Sequence, residues 1–118
     1  MKSIVKVENF VAIIPMFLEH GFKIQLVEDA FVAEKNGVLF VASYAPSACG
    51  NDEYACGTTD MSLQELIELR NSKCKRKSIK DSLGWFTYHL KEQSETLHIR
   101  NHDFAPHEIF MNLERYAG

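Results

Sequence analysis

The sequence predicts an α+β domain in which helices pack on a mostly antiparallel sheet. Some stretches alternate apolar and polar residues with the period typical of a strand, while others repeat apolar residues with helical spacing. The predicted strands mostly follow one another along the chain, which is typical of an α+β domain. The predicted order is β-α-β-β-β-α-β-β-α, and a length of 118 residues fits a single domain covering 1–118.

The first predicted elements are a strand at Ser3 to Val7 and a helix at Phe10 to His20. Asn9 is a suitable N-cap for this helix, and Gly21 suits the left-handed position just beyond its end. Pro15 lies inside the helix. Because a proline there removes a hydrogen bond and clashes with the preceding turn, we expect a kink or a later helix start.

Three strands are predicted next, at 22–27, 31–35 and 38–42. The last two are joined by Asn36-Gly37, which tolerates the positive φ angles of a type I′ turn. This dipeptide therefore predicts a tight hairpin.

Residues 45–60 are rich in Gly, Ser, Asn and Asp, which predicts a long loop. Asp60 or Ser62 can cap the next helix. The residues of that helix at positions i, i+3, i+4 and i+7 form the stripe expected to pack on the sheet: Leu63, Leu66, Ile67 and Arg70.

Residues 79–93 fit two patterns, because their apolar spacing allows a helix while their aromatic content favours a strand. Pairing across a turn at Gln93-Ser94 selects strands at 84–91 and 96–101, with His89 opposite His98. A last helix is predicted from Pro106, and its buried stripe consists of Ile109, Phe110 and Leu113.

The charge of the chain argues against nucleic acid and membranes as partners. The net charge is -3 and the pI is about 5.9, so there is no general attraction to phosphates. A basic run at 73–80 follows a predicted helix, where positive charge favours the helix dipole, and it lacks interleaved aromatic residues. The longest apolar stretch near the start, Phe10 to Leu18, is too short to span a bilayer.

The cysteines predict a reducing compartment. The count of three is odd and no export signal is recognisable, so we expect a cytoplasmic protein. The spacing of Cys49 and Cys56 does not match a zinc knuckle or a redox motif. We interpret both as small apolar anchors of the 45–60 loop, although the sequence leaves a disulfide between them open.

The tip of this predicted loop is acidic and aromatic. Asp52, Glu53 and Tyr54 lie between the two cysteines, on a long loop of the kind that often serves in binding. These three residues are the predicted contacts for a protein partner. A basic partner is favoured, since opposite charge speeds association.

Histidines near the C-terminus offer an alternative site. If the hairpin forms as predicted, His89 and His98 come together, and His102 and Asp103 follow closely. Imidazoles with a nearby carboxylate are suitable ligands for zinc or nickel. The sequence contains no phosphate-binding glycine loop, serine elbow or paired-carboxylate motif.

Two functions from different classes are therefore compatible with the sequence. The first is a non-enzymatic cytoplasmic protein of the immunity or inhibitor type, which occludes a macromolecular partner and needs no cofactor. The second is a small-ligand or metal-binding protein, and possible enzyme, that uses the histidines or a pocket between sheet and helices. The absence of catalytic motifs favours the first. A homodimer through a helix face or an edge strand is compatible with either.

Overall fold

The computed structural model describes residues 2–44, 53–74, 82–90 and 98–100. Within these ranges the secondary structure consists of six strands and three helices. In chain order they are β1 (Lys2–Lys6), α1 (Val7–Glu19), β2 (Lys23–Val27), β3 (Ala30–Lys35), β4 (Val38–Tyr44), β5 (Glu53–Thr59), α2 (Leu63–Lys73), α3 (Leu83–Tyr88) and β6 (His98–Arg100).

The described strands form one sheet in the order β2-β3-β4-β5-β1-β6. All neighbours are antiparallel except β1 and β6, which pair in parallel. This mostly antiparallel sheet with helices packed on it confirms the predicted α+β class.

The sheet separates two hydrophobic clusters. Alternation along β4 sends Phe40 and Ala42 into the cluster beneath α1, and Leu39 and Val41 into the cluster beneath α2 and α3. Phe17 of α1 is fully buried against Phe22, Phe31 and Phe40, with ring centroids 5.1–5.4 Å from its own. β3 and β4 are thus covered on both faces, which explains their largely apolar sequences.

Helix α1 differs from its prediction at its start. It begins at Val7, so Asn9 lies in its first turn and is not the N-cap. Pro15 is inside the helix and exposed, which places the missing hydrogen bond near solvent. Its C-terminus is as predicted: Gly21 has φ +80°, and the amide of Phe22 donates to the carbonyl of Phe17 at 3.0 Å.

The predicted Asn36-Gly37 hairpin is confirmed. Asn36 and Gly37 have φ angles of +52° and +78°, and Lys35 pairs with Val38 across the turn. Ser62 is the N-cap of α2, and the predicted stripe faces the sheet, with Leu66 and Arg70 buried.

Two predictions about the middle of the chain were wrong. The predicted loop at 45–60 contains β5, which pairs with β4 on one side and β1 on the other. The predicted strand at 84–91 is instead α3, so the hairpin with 96–101 does not form. The strand within 96–101 exists as β6, but it pairs with β1.

The helix at residues 83–88 packs closely on the sheet. The backbone of α3 approaches β4 and β5 at two glycines, Gly84 and Gly57. A Cβ on Gly84 would lie 2.2 Å from the amide nitrogen of Ser43, and one on Gly57 would lie 2.6 Å from the carbonyl carbon of Thr87. Such contacts cannot be predicted from the local pattern of apolar residues.

The predicted helix from Pro106 lies outside the described residues.

None of the helices in the described ranges is both long and apolar enough to cross a bilayer.

Candidate functional site

An acidic recess opens at the end of the β3-β4 hairpin, beside the start of α2. Its volume is about 280 Å³. The residues that line it come from the hairpin, from the segment between β5 and α2, and from the first turn of α2: Glu34, Gly37, Leu39, Asp60, Met61, Ser62, Leu63 and Glu65. We refer to these residues as the acidic recess.

Local sequence signals position both sides of the recess. The tight Asn36-Gly37 turn fixes Glu34 at the end of β3, where it is exposed. On the other side, Ser62 caps α2 by accepting a hydrogen bond from the amide of Glu65 at 3.2 Å. The Ser62 hydroxyl also donates to the carboxylate of Glu65 at 2.9 Å. The start of α2 and its acidic side chain are therefore held in place.

The recess combines negative charge with apolar surface. Three carboxylates, those of Glu34, Asp60 and Glu65, are exposed around it, and its described lining includes no basic residue. Leu39, Met61 and Leu63 provide buried or half-buried apolar surface between them. A lysine or arginine side chain suits this arrangement, because its aliphatic stem can pack on the apolar part while its charge meets the carboxylates.

The structure corrects the surroundings of the predicted partner contacts. Glu53 and Tyr54 begin β5 and are not on a loop tip, while Asp52 lies outside the described residues. Glu53 is only 6% exposed. Tyr54 is half-buried and stacks on Phe10, with ring centroids 4.1 Å apart. Because Glu53 is buried, little of its side chain is accessible to a partner. A role of Asp52, Glu53 and Tyr54 in partner binding stays a prediction.

The predicted histidine pair is not assembled by a hairpin. His89 is exposed and follows α3, where its ring contacts those of Trp85 and Tyr88 at centroid distances of 4.4 and 4.9 Å. His98 belongs to β6, whose register places it beside Lys2. His102 and Asp103 lie outside the described residues. Where the structure describes the chain, no group of three or more His, Cys, Asp or Glu residues could hold a metal ion.

The cysteines fall in separate surroundings. Cys56 is fully buried in the cluster beneath α1, as expected of a small apolar residue, although it lies in β5 and not in a loop. Cys74 follows α2 and is half-buried. Cys49 lies outside the described residues.

The acidic recess is not apparent from the sequence alone. Glu34 precedes the hairpin turn, and Asp60 and Glu65 flank the α2 cap, so each residue belongs to a separate local structure. The signal that could have found the site is the acidic character of both segments, combined with the β3-β4-β5 pairing that brings them together.

Comparisons of the chain with protein-family models, with curated proteins and with solved structures gave no match.

Proposed function

We propose that this protein is a non-enzymatic binding protein that occludes a basic segment of a macromolecular partner, as small inhibitor and immunity proteins do. The observation that carries the proposal is the acidic recess, in which three exposed carboxylates surround apolar surface. A single basic side chain can use both features at once. The three cysteines favour a reducing compartment, so we place this function in the cytoplasm.

The recess is formed by a short hairpin and a capped helix start. Because both are held in place by the fold, little conformational entropy is lost when a partner binds. The hydrophobic cluster beneath it, which includes Leu39 and Leu66, fixes the hairpin and α2 against each other. Binding is expected to cover the partner's basic segment sterically and to neutralise its charge.

The charge of the recess favours a protein partner over nucleic acid. Phosphates would be repelled by the three carboxylates, whereas opposite charge accelerates the encounter with a basic protein surface. Complex formation should therefore weaken as the salt concentration rises.

The proposal is tested by a pull-down of tagged protein from a lysate of its own source, at low and high salt. The wild type is compared with a recess variant that carries Glu34→Gln, Asp60→Asn and Glu65→Gln. The matched control carries Glu19→Gln, Asp29→Asn and Glu68→Gln, which remove the same charge from exposed positions outside the recess. Glutamine at 65 keeps an acceptor for the Ser62 cap.

We expect a stoichiometric basic protein with the wild type and the control, bound at least about tenfold more weakly by the recess variant. Equal binding by all three proteins would show that the recess is not the contact surface. If no protein is captured at either salt concentration, the proposed function itself is wrong.

A further inference from the structure

The outer edge of β2 is an apolar strand edge. β2 is the first strand of the sheet, and in the described part of the chain no strand pairs with its outer side. Leu26 at this edge is 79% exposed, more than Val11, Leu18 and Tyr44, the other large apolar side chains that are exposed among the described residues. Sheet edges are commonly blunted by prolines, bulges or several charges, but β2 has only one charged residue, Lys23.

The register of the β2-β3 hairpin shows which backbone groups face outward. Val27 and Ala30 are the pair that flanks the two-residue turn, so they exchange hydrogen bonds with each other. Hydrogen-bonded and non-hydrogen-bonded pairs then alternate along an antiparallel ladder. The amides and carbonyls of Ile24 and Leu26 therefore point away from β3, toward the outer edge.

This edge is complementary to itself. When two copies of β2 run antiparallel with Gln25 opposite Gln25, Ile24 of each copy lies opposite Leu26 of the other. Each such pair exchanges two backbone hydrogen bonds through the outward groups. The pairing also covers the exposed Leu26 side chain with an apolar neighbour.

Charge supports the same alignment. In this register Lys23 of one copy lies opposite Val27 of the other, close to Asp29 in that copy's turn, while the neighbouring Glu28 carboxylate is bound by Arg70. The two-fold axis repeats this contact, so opposite charges meet at both ends of the paired strands. Like charges directly across from one another are avoided.

We infer that the protein forms a symmetric homodimer in which two β2 strands pair in antiparallel fashion, centred on Gln25. The occupant of the edge is a second copy of this chain because apolar pairing, hydrogen bonding and charge agree in one self-complementary register. Leu26 lies opposite Phe31, so it belongs to the α1 side of the sheet. Val11 and Leu18 are exposed on α1 on that same side.

The inference does not depend on the proposed function and is tested with the purified full chain. Sedimentation equilibrium should show a dimer that dissociates on dilution. Leu26→Lys should weaken the dimer at least tenfold, because it removes the apolar pair and adds like charge to the edge. Its fold should be unchanged, since Leu26 is exposed in the monomer, and circular dichroism verifies this.

A cysteine cross-link tests the register. Gln25→Cys places two thiols directly opposite each other at a non-hydrogen-bonded pair, so mild oxidation should give a covalent dimer. Lys23→Cys is the matched control, because its two thiols would be about 14 Å apart along the paired strands. A protein that is monomeric at all concentrations would overturn the inference. So would a dimer that persists in Leu26→Lys and cross-links no better through residue 25 than through residue 23.

Discussion

Arg70 of α2 donates hydrogen bonds from both terminal nitrogens to both carboxylate oxygens of Glu28, at 2.5 and 3.0 Å. Arg70 is 6% exposed, and Glu28 occupies the β2-β3 turn with a φ of +56°. This conformation is unfavourable for a residue with a side chain. The ion pair therefore links the strained β2-β3 turn to α2. Arg70 can be buried because the Glu28 carboxylate balances its charge.

Glu28→Gln should lower the free energy of unfolding by about 1–3 kcal/mol, because a buried guanidinium loses its anionic partner. Urea denaturation measures the change. The control Glu68→Gln, on the exposed face of α2, should change stability by less than about 0.5 kcal/mol. If Arg70→Met removes the effect of Glu28→Gln in a double-mutant cycle, the loss belongs to this pair. Additive effects would contradict the assignment.

Gly84→Ala should be among the most damaging single substitutions in α3. The new methyl group would lie 2.2 Å from the backbone of Ser43, and that backbone cannot move without disturbing the centre of the sheet. We expect a loss of at least about 2–3 kcal/mol, measured by thermal or urea unfolding.

Gly37→Ala is the matched control for this prediction. A Cβ at Gly37 has nothing within 4 Å, and only its φ of +78° opposes the substitution. Its cost should be about 1 kcal/mol. If the two variants were equally stable, the close approach of α3 to β4 would be wrong.

Tyr54→Ala should reduce stability by about 2–4 kcal/mol, since Tyr54 stacks on Phe10 at an interplanar angle of 13° and contacts Tyr44. Tyr54→Phe keeps the ring and should cost less than about 1 kcal/mol. Tyr44→Ala, at a residue that is 45% exposed, provides an intermediate comparison. A Tyr54→Ala protein with wild-type stability would contradict a stabilising role for the stacking of Tyr54 on Phe10.

Thiol labelling should distinguish two of the cysteines. Cys56 is fully buried in the cluster beneath α1, whereas Cys74 is half-buried at the end of α2. Maleimide labelling followed by peptide mapping should modify Cys74 in the native protein and Cys56 only after denaturation. Rapid native labelling of Cys56 would contradict its burial in the cluster beneath α1.

The sequence by itself determined the features whose physical causes are local. The positive φ angles at Asn36-Gly37 and Gly21 and the Ser62 cap all depend on neighbouring residues. The α+β class followed from the same local patterns.

The tertiary structure alone decided the features that depend on distant partners. β5 was predicted as a loop because its small and polar residues lack a strand pattern, yet it is stabilised by pairing with β4 and β1. α3 was predicted as a strand because cross-turn pairing and aromatic content were favoured over the helical spacing of residues 79–93, and the close approach of Gly84 to Ser43 is seen only in the folded chain. The acidic recess likewise joins Glu34 to Asp60 through the sheet. Because backbone pairing and close packing act between residues far apart in the chain, no local pattern contains them.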